Sequence, residues 1–189
     1  MAEAQGTVTE RSLEEQRDEY TQRRLIAVPL AGMVVWFLIG ISGMVLPVFW
    51  TVWVLYIGTG SIVYLGLFFS RFTGEKLLDK NRPKNTFDTL FLISTAMALL
   101  VFAIAIPFAM VDHTSLPMTI GILTGLMWMP VTWIIRHPVG ILHTISRTAA
   151  VLALWYLFPD HRFVAIPLAI VAIYIVTIVI LEKRWRALQ

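Results

Sequence analysis

Six long apolar stretches divide this chain of 189 residues, and they constrain its fold more than any other feature. Each has about 20 residues, which in an α-helix matches the hydrocarbon core of a bilayer, about 30 Å thick. They cover residues 25–46, 48–70, 89–111, 116–135, 139–158 and 163–181. Because backbone groups in lipid must bond within their own segment, we predict an all-α membrane protein, a bundle of six transmembrane helices.

The composition agrees with residence in a bilayer and excludes several functions. Hydrophobic residues make up 58% of the chain and charged residues 14%, against about 25% charged in a soluble domain. The net charge of +3 does not indicate nucleic-acid binding, because the basic residues border the apolar stretches and form no separate domain. The chain has no cysteine, which excludes disulfides, thiolate catalysis and zinc sites with cysteine ligands.

The polar segment before the first stretch lacks the basic start and early apolar core of a cleaved signal peptide. Ser12 and Glu15 have the spacing of a capping box, which predicts a short helix. We therefore expect residues 1–24 to form a partly helical cytosolic segment. The six-span membrane domain is placed at residues 25–182, and a cytosolic tail at residues 183–189.

The basic residues are concentrated at one set of span ends. That side carries Arg11, Arg17, Arg23, Arg24, Arg71, Lys76, Lys80, Arg82, Lys84, Arg136, Lys183, Arg184 and Arg186. The other side carries Arg162 alone. Lys and Arg accumulate on the cytoplasmic side of membrane proteins, so we predict a multi-pass protein of the cell membrane with both termini in the cytoplasm.

Gly121 and Gly125 form a GxxxG pattern in the fourth stretch, and Pro130 follows them. Small residues at this spacing let two helices approach closely. We expect an intrachain contact rather than a dimer face, although a homo-oligomer remains open. Pro130 predicts a kink in the same span.

Arg147 lies about eight residues into the fifth stretch, or about 12 Å, which places it near the bilayer midplane. His143, Thr144 and Ser146 lie in the same helix, and no Asp or Glu falls deep inside any stretch. An arginine at this depth needs acceptors. One interpretation is bonding to backbone carbonyls of a kinked neighbour such as the fourth span near Pro130. The other is a ligand-binding site or ion pathway formed by these four residues.

A second candidate site lies at the outer ends of the spans. Asp112 and His113 follow the third stretch, and Asp160 and His161 precede the sixth. Two imidazoles and two carboxylates suit a divalent metal, but polar residues collect at span ends in any case. The chain has no HExxH, GxSxG, P-loop or dinucleotide-binding motif, so we expect no cofactor.

The six spans, the basic loop with Asn81-Arg82-Pro83, and Thr124-Gly125 followed by Pro130 and Trp133 form a combined pattern. This pattern resembles an uncharacterised family of small bacterial integral membrane proteins. The resemblance implies a bacterial inner membrane as the location. It implies no activity, ligand or catalytic residue.

Three functions are compatible with these features. The first is a transporter-like or channel-like protein that binds a small anionic or amphipathic solute around Arg147. The second is a structural or regulatory membrane protein that acts through helix contacts with itself or another membrane chain, suggested by the GxxxG pair and the charged N-terminal helix. The third, an intramembrane enzyme, is supported only by the polar residues at the outer span ends.

Overall fold

The computed structural model describes residues 11–75, 77 and 82–189. The first ten residues of the predicted N-terminal segment, and Lys76, Lys80 and Asn81, lie outside the described residues. The described part contains nine α-helices and no strand. The helices are α1 Leu13–Thr21, α2 Ala27–Val45, α3 Val48–Thr73, α4 Thr86–Leu100, α5 Phe102–Val111, α6 Leu116–Gly125, α7 Met129–Ile134, α8 Val139–Leu157 and α9 Arg162–Arg186.

These helices form six apolar segments, each long enough to cross a bilayer. The segments are Ala27–Val45, Val48–Thr73, Thr86–Val111, His113–Ile134, Val139–Leu157 and Pro159–Arg186. The predicted fold class, an all-α bundle of six membrane helices, is confirmed. Helix α1 precedes the first span, and its location in the cytosol stays a prediction.

The centre of the bundle is formed by α2, α6, α8 and α9. Trp36 of α2, Ile120 of α6, Val151 of α8 and Ile170 of α9 are all fully buried. Helix α3 packs along α2 as an antiparallel hairpin, because only Leu46 and Pro47 separate the two helices. The third span, α4 and α5, lies at the periphery of this centre.

The third and fourth spans are each interrupted. In the fourth span, α6 ends at Gly125 and a 3₁₀ turn covers Leu126–Trp128. Pro130 then lies in the first turn of α7, where its missing N–H is tolerated, so the break predicted from Pro130 is present. The third span turns at Val101, although neither glycine nor proline stands there.

Helix α1 folds back across the ends of the third and fourth spans. Its capping box is formed: the Ser12 amide donates to Glu15 Oε2 at 2.9 Å, and the Glu15 amide donates to Ser12 Oγ at 3.2 Å. Asn85 Nδ2 donates to the Gln16 carbonyl at 2.7 Å, and Arg17 Nε donates to the Ile134 carbonyl at 3.1 Å. We call this end of the bundle the α1 side, and the opposite end the Arg162 side.

Candidate functional site

Arg147 is enclosed in the centre of the bundle, with 1% of its surface exposed. Helix α8 buries Gly140, His143, Thr144, Arg147 and Val151, which recur at intervals of three and four residues. This spacing places them on one helix face. The face points to α6 and α9, so the arginine is directed into protein rather than into lipid.

The guanidinium of Arg147 is bonded to two neighbouring helices, α6 and α9, and approaches His143 of its own helix. Its Nε donates to the Gly121 carbonyl at 2.7 Å, and Nη2 donates to Thr124 Oγ1 at 3.0 Å; both partners belong to α6. Its Nη1 donates to the Tyr174 hydroxyl of α9 at 3.2 Å and lies 3.5 Å from His143 Nε2. We call Arg147 with these four partners the Arg147 cluster.

The positive charge of the Arg147 cluster has no carboxylate partner among the described residues. Every ion pair in this part of the chain lies at the α1 side or the Arg162 side. The rings of Trp36 and Tyr174 lie 5.2 and 5.5 Å from the guanidinium carbon, close enough for cation–π attraction. Neutral oxygens and aromatic faces therefore stabilise the cation, and its net charge remains.

The GxxxG pair makes room for Arg147. A Cβ atom added at Gly125 would lie 3.0 Å from Arg147 Cδ, and one added at Gly121 would lie 3.2 Å from Ile170 Cδ1. Both distances are shorter than ordinary carbon contacts. The two glycines thus face α8 and α9 of the same chain, and the close approach that they permit is intrachain.

The hydrogen bonds of His143 define a neutral tautomer. Thr177 Oγ1 donates its proton to the Ile173 carbonyl at 2.8 Å, so at 2.8 Å from His143 Nδ1 it is left to accept. The Nδ1 atom therefore carries the proton, and Nε2 has a free lone pair facing Arg147. The imidazole also stacks on Trp128, with 4.4 Å between ring centroids.

Of the four residues predicted to bind a ligand, Arg147 and His143 belong to the Arg147 cluster. Thr144 is buried beside it and donates to the Gly125 carbonyl at 3.2 Å. Ser146 lies outside the cluster, because its hydroxyl donates to the Leu142 carbonyl of its own helix at 2.6 Å. The sequence analysis did not predict Tyr174 as a site residue. Its position three residues before Thr177, in an apolar span, could have indicated a polar contact inside the bundle.

A lateral cleft opens between α3 and α4, with a volume of about 220 Å³. Its walls come mainly from Thr59 to Leu67 of α3 and Asp88 to Leu99 of α4, and Pro29 of α2 contributes to its floor. Leu92 and Leu99 line it with 59% and 53% of their surfaces exposed. The cleft therefore opens sideways, toward the region that lipid occupies around a membrane protein.

Aromatic and charged side chains border the two ends of the lateral cleft. Toward the Arg162 side, Tyr56 of α3 meets Phe102 of α5 with 5.9 Å between ring centroids. At the α1 side, the cleft is bordered by Tyr20, Arg23 and Asp88, and Arg23 forms an ion pair with Asp88. Described side chains thus border the cleft at both ends, and Leu92 and Leu99 are exposed along its side.

The lateral cleft touches the Arg147 cluster. Thr124 and Tyr174, which both bond to the guanidinium, line the cleft together with Trp128. Arg147 itself is one layer of side chains behind this lining. The charge of Arg147 therefore acts on the cleft through a low-dielectric layer, where electrostatic effects are large.

The four residues considered for a metal remain at the Arg162 side. The Asp112 carboxylate accepts from the amide and hydroxyl of Thr114 at 2.9 and 2.8 Å, and lies 3.9 Å from Arg162 Nη1. The Thr114 hydroxyl is the main cause that lowers the pKa of Asp112 below its usual value. No group of three or more His, Asp or Glu side chains suited to a metal occurs in the part of the chain that the structure describes.

The six spans and the central Arg147 cluster define a polytopic α-helical membrane protein. The model of the family of unknown function DUF7010 matches residues 13–184, so the chain belongs to this family. The resemblance to an uncharacterised family, predicted from sequence, is confirmed; the bacterial origin and the inner membrane stay predictions. No curated protein and no solved structure matches the chain.

Proposed function

We propose that this protein binds a slender amphipathic molecule, which enters the lateral cleft sideways from the bilayer. The observation that carries the proposal is the cleft itself: an apolar channel that reaches the polar centre of the bundle and is open toward the lipid region. Its volume of about 220 Å³ is below the range of pockets for drug-sized ligands, about 300–1,000 Å³, which favours a narrow chain over a bulky solute.

The distribution of polarity in the cleft suits an amphipathic ligand. Leu67, Phe91, Leu92 and Ala98 present apolar surface, against which a hydrocarbon chain packs without desolvating polar groups. At mid-depth, Thr124 and Tyr174, which belong to the Arg147 cluster, add hydroxyl groups. A water-soluble ion would have to cross the apolar rim, so the lateral opening favours a membrane-dissolved ligand over a channel for ions.

The second function considered from sequence, contact with another membrane chain, has less support. The GxxxG pair that suggested it is occupied inside the bundle. The charged helix α1 is also engaged within the chain, since Arg136 forms ion pairs with Glu14 and Asp18. Transport would require the cleft to open to alternate sides, and we propose binding as its first step.

A variant that fills the cleft tests the proposal. Gly60 lines the cleft, and a Cβ added there meets nothing within 4 Å, so Gly60→Phe adds bulk to the cleft without a clash at its root. Ile57→Phe is the matched control, since Ile57 lies on the same helix, is exposed and is not part of the lining. The probe is the fluorescent polyene parinaric acid, together with its methyl ester, added to the full chain in detergent.

We expect saturable binding of both probes to the wild-type protein and to Ile57→Phe. Gly60→Phe should weaken both by at least about tenfold, because a filled cleft excludes the chain that the two probes share. Thermal unfolding should show that Gly60→Phe folds as well as the wild type. Equal binding by Gly60→Phe and the wild type would overturn the proposal.

A further inference from the structure

Tyr174 lines the lateral cleft and carries a hydrogen-bond donor that the bundle leaves unused. The side chain is 6% exposed and lines the cleft, and its oxygen accepts from Arg147 Nη1 at 3.2 Å. Within the described residues, its hydroxyl proton has no acceptor. A buried donor without an acceptor is costly, so a ligand that supplies one gains more than from an exposed hydroxyl.

The threonine hydroxyls of the lining do not compete as donors. Thr59, Thr95 and Thr124 donate to carbonyls of their own helices, four residues earlier, at 2.6, 2.9 and 2.6 Å. Each has a single proton, so these oxygens are left to accept only. Of the five hydroxyls in the described lining, those of Tyr20 and Tyr174 therefore remain to donate, and of these two Tyr174 is the one bonded to Arg147.

Arg147 determines which acceptor is preferred. Its cation has no carboxylate partner among the described residues, and it bonds directly to the tyrosine oxygen. Donation from a cation polarises the hydroxyl and strengthens its own donation, as in cooperative hydrogen-bond chains. The same positive charge attracts an anion more than a neutral carbonyl or an alcohol.

We propose that the ligand of the lateral cleft is a long-chain carboxylate, whose oxygen accepts from the Tyr174 hydroxyl at mid-depth. This inference rests on the proposed function, since it requires the chain of the ligand to occupy the cleft. Arg147 acts through Tyr174 and is a positioning residue. The selectivity is for a charged acceptor on an apolar chain, with the chain directed toward the open side of the cleft.

The test compares parinaric acid at pH 8 with its methyl ester and with the corresponding alcohol. Tyr174→Phe removes only the hydroxyl, and Tyr64→Phe is the matched control, because Tyr64 is an exposed tyrosine outside the lining of the cleft. A second variant, Gly32→Ala, keeps the hydroxyl but displaces it, since a Cβ there would lie 2.6 Å from the Tyr174 oxygen. Thermal unfolding is recorded for every variant.

Tyr174→Phe should weaken the acid about tenfold and change the ester and the alcohol little, which is the scale of a hydrogen bond to a charged group. Gly32→Ala should reduce the acid-to-ester ratio in the same direction, and Tyr64→Phe should leave it unchanged. An unchanged ratio in Tyr174→Phe, or an equal loss for all three probes, would overturn the carboxylate assignment. If the carboxylate assignment failed but Gly60→Phe still weakened binding, the proposed function would stand. If Gly60→Phe left binding unchanged, both the proposed function and the carboxylate assignment would be overturned.

Discussion

The guanidinium of Arg147 is accommodated by geometry that a lysine cannot reproduce. Its planar fork reaches Gly121 and Thr124 on one side and Tyr174 on the other, over distances of 2.7 to 3.2 Å. A single ammonium at the end of a flexible stem does not bridge these partners together. The cost of burying the cation is therefore offset by oriented neutral acceptors, which are specific to arginine.

Arg147→Lys should destabilise the protein by about 2 kcal/mol, because the charge stays buried while most of its bonds are lost. Arg147→Met has a similar length and no charge, so it should cost less than Arg147→Lys. Unfolding temperatures in detergent, measured by size-exclusion chromatography after heating, check this order of stability. A lysine variant as stable as the wild type would show that the fork is not required.

Gly125 and Gly121 should tolerate large side chains much less than Gly60. Gly125→Leu pushes directly on Arg147, and Gly121→Leu pushes on Ile170, whereas Gly60→Leu extends into open space. Overpacking costs about 1–3 kcal/mol, so both buried variants should unfold at lower temperature than Gly60→Leu. Unfolding at the wild-type temperature in all three variants would contradict the close packing of the GxxxG face.

Part of the Arg147 cluster follows from periodicity alone. His143 and Arg147 are four residues apart and share a face, whereas Ser146 is rotated by one residue, about 100°, and turns away. The partners Gly121, Thr124 and Tyr174 could not be assigned from sequence, because they depend on which spans become neighbours. Among the alternatives weighed from sequence, the observed bonds match a cation held by the fourth span, although at Gly121 rather than near Pro130.

Helix α1 connects the third span to the rest of the bundle. Its docking relies on charged contacts: Arg23 pairs with Asp88 of α4 and with Glu19 of α1. Burial raises the pKa of Glu19, but hydrogen bonds from Arg11 and Arg23 outweigh it, so that pKa lies below its usual value. The carboxylate form is therefore the one that the docked helix prefers.

The docking of α1 should weaken in acid. A carboxyl with a lowered pKa in the folded state contributes its stability above the ordinary value of 4.5, and this is lost as the pH falls through the lowered pKa. Since the chain has no cysteine, spin labels at Leu13→Cys and Leu188→Cys report α1 specifically. Their distance distribution should be narrow at pH 7 and broaden as the pH falls below the ordinary value of 4.5.

Glu19→Gln should produce some of this broadening already at pH 7, and Asp160→Asn, at the Arg162 side, should not. Because Glu19 and its arginine partners are partly exposed, the effect should correspond to less than about 1 kcal/mol. A distance distribution that is identical for Glu19→Gln and the wild type at both pH values would contradict this role of Glu19.

The number of spans was predictable because length and apolar content decide it, without reference to tertiary structure. The break at Pro130 was predictable from its missing N–H. The turn at Val101 was not, since no residue there has a backbone preference that ends a helix. The lateral cleft could not be predicted from the sequence either, because it arises from the separation of α3 and α4 rather than from the residue pattern of either helix.

Charge is distributed unevenly between the two ends of the bundle. The α1 side carries Arg24, Arg136 and Arg184, and Arg184 is bonded to the Thr21 and Arg23 carbonyls at 2.7 Å. The Arg162 side carries Arg162, which packs on the Trp155 ring at 3.4 Å. The orientation predicted from this asymmetry, with the α1 side in the cytoplasm, stays a prediction.

Labelling of single cysteines tests the orientation, since the chain supplies none of its own. His113→Cys and His161→Cys should react with a membrane-impermeant maleimide on intact cells, because both positions lie on the Arg162 side. Lys84→Cys and Gln189→Cys should react only after the cells are opened, because both lie on the α1 side. The four positions are linked by whole spans, so they must change together if the orientation is reversed. Reaction of Lys84→Cys on intact cells, with His113→Cys protected, would place the α1 side outside the cell. It would contradict the cytoplasmic location predicted for α1.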